Sequence, residues 1–408
     1  MLIDKQVFGG QADRRTGGQA DRRTGGQADR GNSRNSSIEL LKIIAIFLIV
    51  ISHVTQTLGY PSTSVDFQDY VYPIENATTD KNAIILTMFY QFGALGNNIF
   101  FICSAWFLVN AKKTARKKGF LLLCTVWTIS VIVLMIYFGL GQHNISLKGI
   151  AKCLFPTTFS TNWFLTCYII FLFIYPYLNS VIVHVNQKEH LRIVLFSSFL
   201  WIVAGYFYET LFFASRVILW VTIYFLVAYL KLYCKRATSR RKVGLILILI
   251  GASGFIGQVL VANYLGLYIS VLKDKVLRWN SNCNPFYIML ALGSFIIALQ
   301  SNLRNKYINY ISSLSLFIYL FHENYLFREY TRPYIWQLIY TILGYEHVIL
   351  LDLGFAVVLF LVSVIISAVY KETIQHFINR IVDKLYAIVS RIYFKVERLL
   401  IPSVEELI

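Results

Sequence analysis

The chain has 408 residues, of which 57% are hydrophobic and only 14% charged, with 27 Tyr and 31 Phe. Soluble domains carry about 25% charged residues, so an ordinary soluble fold is excluded and repeated membrane crossing is expected. The net charge of +17 would suggest nucleic acid in a soluble protein, but the basic residues fall in short stretches between apolar runs, so no nucleic-acid partner is expected.

Residues 1–33 contain the unit GGQADRRT twice and begin it a third time. Gly, Gln and Arg leave nothing to bury, so this segment is expected to be disordered and cytoplasmic. Arg14, Arg15, Arg22, Arg23 and Arg30 would suit a tether to anionic lipid; an expanded DNA repeat explains them more simply. No cleavable signal peptide is expected, because the first apolar run begins only near Ile38 and is too long.

Ten apolar runs follow, over about 38–58, 84–109, 120–140, 162–183, 191–208, 214–233, 243–269, 285–300, 307–327 and 348–370. Each approaches the roughly 20 residues a membrane helix needs, and the fifth and eighth are short. The fold class expected is all-α: a polytopic transmembrane bundle of about ten spans across residues 34–370. With the N-terminus inside, 28 Lys and Arg fall in inner segments and 9 in outer loops, Lys42 lying within the first span. That bias places both termini in the cytoplasm. The tail, 371–408, repeats Ile374, Phe377, Ile378, Ile381 and Leu385 at helical spacing with basic residues between them, a pattern for an amphipathic helix on the inner leaflet. The six cysteines form no metal or CxxC pattern, so neither metal nor disulfide is assigned.

Polar residues inside spans are costly, about 2.5–3.5 kcal/mol for Lys or Asp on insertion scales, and are therefore functional candidates. The first span carries Glu39, Lys42 and His53. Positions 42 and 53 differ by three helical turns plus about 20°, which puts them on one face roughly 16 Å apart. Snorkelling to the inner interface is the alternative for Glu39 and Lys42, and a structural hydrogen bond for His53. The ninth run places His322 and Glu323 near its outer end, at a depth similar to His53 under this topology. Two imidazoles there could exchange protons near neutral pH, with Glu323 as a substrate contact. Asn97, Asn98 and Ser104 in the second span serve either helix packing or substrate. Trp163 is either part of an aromatic belt or a platform for a sugar ring. The cluster of Lys112, Lys113, Arg116, Lys117 and Lys118 enforces topology, binds anionic lipid, or attracts a phosphate-rich donor.

The segments RNSSIELLKIIAIFLIVISHV, GALGNNIFFICSAWFLVN, TNWFLTCYIIFLFIYPYLN and SLFIYLFHEN together resemble, in that order, the signatures of the acyltransferase-3 family, over about residues 34–370. The resemblance implies a membrane O-acyltransferase acting on surface polysaccharide. It carries His53 over as a catalytic residue, and the reading of the residues adds His322 as its candidate partner and Lys42, Glu39, Lys112, Lys113 and Arg116 as a candidate donor site for acetyl-CoA or another short acyl-CoA. The acceptor the resemblance implies is an extracellular or lipid-linked glycan, with Asn97, Asn98, Ser104, Trp163 and Glu323 as the candidate contacts read from the spans. Where the family has Arg eleven residues before the His, this chain has Lys42, which keeps the charge but lacks the bidentate fork. About 40 residues follow the last run, so no appended esterase-like domain is expected; membrane lipid and polysaccharide-assembly proteins are the remaining partners expected. No cofactor is expected to stay bound. A transporter or flippase for lipid-linked sugars is the rival reading, since buried His, Lys and Glu also suit a proton-coupled carrier.

Overall fold

A computed structural model describes residues 35–59, 76–111, 116–142, 144–207, 215–273, 276–277, 279, 281–344 and 346–400. The repeat segment and Lys112 and Lys113 lie outside the described residues. Among the described residues the fold is all helical, with no strand. The main helices are α1 (Ser36–Gly59), α2 (Lys81–Leu108), α3 (Arg116–Gly139), α4 (Leu147–Leu154), α5 (Trp163–His184), α6 (Gln187–Phe207, through a π-helical stretch), α7 (Ser215–Tyr233), α8 (Arg241–Gly266), α9 (Pro285–Leu299), α10 (Lys306–Ser313), α11 (Ser315–His322), α12 (Arg332–Leu343) and α13 (Val348–Leu400). Each of the ten apolar runs is helical over most of its described residues, and among the described residues eight helices are long and apolar enough to cross a membrane.

The exceptions are the eighth and ninth runs. The eighth is the 15-residue α9. The ninth is split at Leu314 into α10 and α11. It ends at His322 because the Asn324 side chain accepts from the Leu326 amide at 3.0 Å, a local bond that competes with the helix. A π-helical turn, Phe327–Thr331, then leads into α12.

The centre of the bundle is α1, packed against α2, α9, α10, α11, α12 and α13. Ala45, Ile46, Ile49, Val50 and Val54 along it are buried. Its contact with α2 is close because α2 offers glycine: a Cβ on Gly96 would lie 2.5 Å from the Ala45 carbonyl oxygen. Small residues permit such approach where hydrocarbon outside gives helices no hydrophobic reason to associate. The start of α1 is tied down by Asn35, whose amide donates to Ser301 O at 2.9 Å, and by Ser36, whose hydroxyl donates to Asn309 at 2.8 Å. Large apolar side chains such as Met135, Leu249, Val358 and Ile365 are exposed on outer faces, as expected of helices bathed in lipid.

Two segments differ from the sequence expectation. Residues 144–161, within a stretch read as an outer loop, fold back onto the bundle. Ser146 caps α4 by accepting from the Gly149 amide at 3.1 Å, Cys153 is buried, and residues 154–158 lie against 123–128 in the first half of α3. Burying Cys153, Pro156, Thr161 and Asn162 offsets the cost of bringing loop backbone inward. The last span and the tail form one unbroken helix of 53 residues, α13. Its extension packs on α3 through Lys117–Asp383 (2.9 Å) and the Phe120–Tyr386 rings.

Candidate functional site

The end of α11 meets the C-terminal third of α1 at a cluster of three titratable side chains. His53, His322 and Glu323 are all buried, His322 to 1% exposure. The Nδ1 of His53 lies 3.0 Å from His322 Nε2 and 3.0 Å from Glu323 Oε2. The Nδ1 of His322 lies 2.6 Å from the Ile318 carbonyl oxygen.

These contacts fix the proton positions by elimination. A carbonyl oxygen only accepts, so His322 donates from Nδ1, and in the neutral ring its Nε2 is then an acceptor. The proton between the rings therefore belongs to His53 Nδ1, shared between His322 Nε2 and the Glu323 carboxylate. The lone pair of His53 is left on Nε2. Two guanidinium groups hold Glu323 in turn: Arg328 Nη1 at 2.9 Å from Oε1 and Arg332 Nη1 at 3.1 Å from Oε2. Arg328 also donates to the Thr161 carbonyl at 3.3 Å and pairs with Glu329 at 3.0 Å. A buried carboxylate with two cations and an imidazole N–H on it is compensated where a lone one would be very costly.

The three donor atoms lie within 4.8 Å of one another, close enough for a divalent cation. Both nitrogens of His322 are already engaged, and two guanidiniums face the same carboxylate. The set reads as a hydrogen-bonded relay.

At the other end of α1, Lys42 Nζ is 3.2 Å from Glu39 Oε1, and Ser312 donates to Glu39 Oε2 at 2.5 Å. Lys42 also lies over the Phe107 ring at 5.8 Å. The stripe expected on α1 is therefore two separate constellations, an ion pair near its start and the relay near its end. Arg116 opens α3 with its guanidinium 3.4 Å from the Tyr177 hydroxyl.

The remaining expected residues spread over the bundle. Asn98 donates to the Asn282 carbonyl at 2.9 Å, so its amide ties α2 to the segment before α9. Asn97 is buried with its Oδ1 unpartnered among the described residues. Ser104 is half-buried. Trp163 opens α5 at the relay's flank: the Arg216 guanidinium sits 4.3 Å over its ring, and Phe164 beside it contacts Tyr319, which in turn faces His53.

Sequence reasoning missed Arg328 and Arg332. The signal was available, since two arginines follow Glu323 at five and nine residues on the side where basic residues are scarce. It also missed Lys231, whose ammonium donates to Trp106 O at 2.6 Å and Val109 O at 3.0 Å. That places a cation on the open carbonyls at the end of α2.

Comparison with known families gives one match: residues 35–371 fit the acyltransferase-3 profile, described as an acyltransferase domain. No curated protein and no solved structure matches the chain.

Proposed function

The chain belongs to the acyltransferase-3 family, and from the geometry at His53 we propose that this membrane acyltransferase moves a short acyl group, acetyl in the simplest case, from cytoplasmic acyl-CoA to a hydroxyl of an extracellular or lipid-linked glycan. The observation that carries the reading is the relay, which leaves one basic nitrogen, His53 Nε2, with its partner nitrogen already bound to a carboxylate. That is the arrangement a general base needs.

In the reaction, His53 Nε2 takes the proton of the acceptor hydroxyl as its oxygen attacks the thioester carbonyl. The Glu323 carboxylate stabilises the imidazolium formed. Collapse of the tetrahedral intermediate breaks the C–S bond, and the imidazolium returns its proton to the coenzyme A thiolate. Ester and free thiol are the products, and no cofactor is retained. His322 is then a positioning residue, holding the His53 tautomer, rather than a second base. Base catalysis of this kind contributes about 10²–10⁴-fold, and positioning of donor and acceptor supplies the remainder.

Lys42, Arg116, Lys112 and Lys113, with Glu39 orienting Lys42, would meet the donor phosphates at the cytoplasmic face. Trp163, Asn97, Asn98 and Ser104 would line the acceptor's approach. The chain would sit in the cell membrane with both ends in the cytoplasm, working beside polysaccharide-assembly proteins. The test is to incubate membranes containing the chain with radiolabelled acetyl-CoA and a surface-glycan fraction. Label that enters the glycan and is released by mild alkali is the expected result, since esters hydrolyse and amides do not. Alkali-stable label would replace O-acylation with N-acylation; movement of glycan across the membrane without label would favour a carrier.

A further inference from the structure

We propose that the groove between α3, residues 154–158 and the extension of α13 seats the hydrocarbon chain of a phosphate-linked lipid that carries the acceptor glycan. This rests on the acyl-transfer reading and selects the lipid-linked acceptor over a finished soluble polymer.

The groove has a volume of about 450 Å³ and walls formed by Leu123, Trp127, Leu154, Phe155, Ile381 and Leu385. The Thr128 hydroxyl in its wall donates to Cys124 O at 2.8 Å within its own helix, so its polarity is already satisfied. Trp127, Phe155 and Leu385 are about half exposed at its mouth. The groove's walls are mostly apolar and one of them is α3, a helix long and apolar enough to cross a membrane, so a hydrocarbon chain matches it as occupant better than a polar ligand.

Charge and continuity narrow the choice of lipid. The last residue of α4, Leu154, begins the groove wall, and α4 presents Lys148 and Lys152, neither paired with a carboxylate among the described residues. Lys152 lies over the Tyr325 ring at 4.6 Å, beside the segment that carries Glu323. The Lys152 ammonium offers a lipid phosphate a charge-assisted hydrogen bond. From Thr158 the chain needs only three residues to reach Thr161, whose carbonyl holds Arg328, a span of at most about 11 Å. A lipid with its chain in the groove and its phosphate at Lys152 thus delivers its sugar to the relay. A bulk phospholipid would have no use for that continuity.

The test uses the full chain in phosphatidylcholine nanodiscs and an isoprenyl phosphate carrying a photoactivatable diazirine in its chain. Labelling is expected on peptides containing residues 123–128 and 154–158, displaced by unlabelled isoprenyl phosphate and not by equal phosphatidylglycerol. Lys152→Gln should reduce labelling about fivefold, the worth of one such hydrogen bond, and Thr128→Trp, which fills the groove, should abolish it. Leu154→Trp serves if Thr128→Trp does not elute as a folded protein. Labelling spread over all lipid-facing helices, or equal displacement by phosphatidylglycerol, would overturn the proposal. The two readings fail separately: labelling without acyl transfer would sink the proposed activity alone, and transfer to lipid-free glycan without labelling would sink this one.

Discussion

At the scale of residues, the relay makes its members unequal. His322 uses both nitrogens to hold a neighbour and a carbonyl. His322→Gln, whose amide can still accept from His53, is expected to keep measurable turnover with little change in KM for acyl-CoA, whereas His53→Gln is expected to keep none. Equal loss in both variants would mean that the two imidazoles share the proton chemistry. Glu323 and Arg332 make a second case. Arg332→Ala leaves a buried carboxylate short of one cation, a change that costs about 3–5 kcal/mol when a buried pair is broken. The detergent-solubilised variant should melt at a clearly lower temperature, and adding Glu323→Gln should recover part of the loss; no recovery would show that Arg332 acts through packing instead. The histidines and Glu323 were legible in the sequence because polar residues stand out in apolar runs. Their wiring was not, since the partners of Glu323 lie beyond a helix break that an asparagine side chain creates.

At the scale of elements, the close α1–α2 contact explains a constraint that looked like composition. Asn97, Asn98 and Ser104 of α2 read as packing or substrate contact, and next to them Gly96 is in close packing with Ala45 of α1. Gly96→Ala should destabilise the bundle by about 1–3 kcal/mol, the usual cost of overpacking, because its Cβ would meet backbone that cannot move aside. Thermal stability by fluorescence-detected size exclusion checks this, and an unchanged melting point would contradict the contact. The polar network joining α2, α8 and α9 has the same character. Gln258 donates to Gln91 at 3.2 Å, and Asn284 donates to Gln258 at 2.8 Å. The apolar runs located the long helices but not α4 or α12, which lie between runs. They could not show that residues 144–161 fold inward, since that depends on the particular surface α3 and α13 offer them.

At the scale of the whole molecule, the apolar runs and their order were legible, and so was the family. The count of long helices was less so, because α10 and α11 together cover one run without forming one helix. Orientation rests on the excess of basic residues in alternate segments. Reporter fusions after Ala115 and Thr238 should read cytoplasmic, and those after Tyr70 and Leu338 extracytoplasmic. A reversed signal after Thr238 would move the relay to the inner half of the membrane. Deleting residues 1–33 should leave insertion and activity nearly unchanged, since the segment has no apolar run to bury; lost activity in a correctly inserted truncation would give the repeat a role.

The central claim is that one nitrogen, His53 Nε2, takes the acceptor proton. The most direct measurement compares the parent chain and His53→Ala, matched for membrane insertion, in single-turnover transfer from radiolabelled acetyl-CoA, with donor binding followed in parallel. The account predicts a rate at least about a hundredfold lower in the variant, the smaller end of general-base catalysis, and donor binding close to that of the parent. Transfer by the variant at near the parent rate would contradict it.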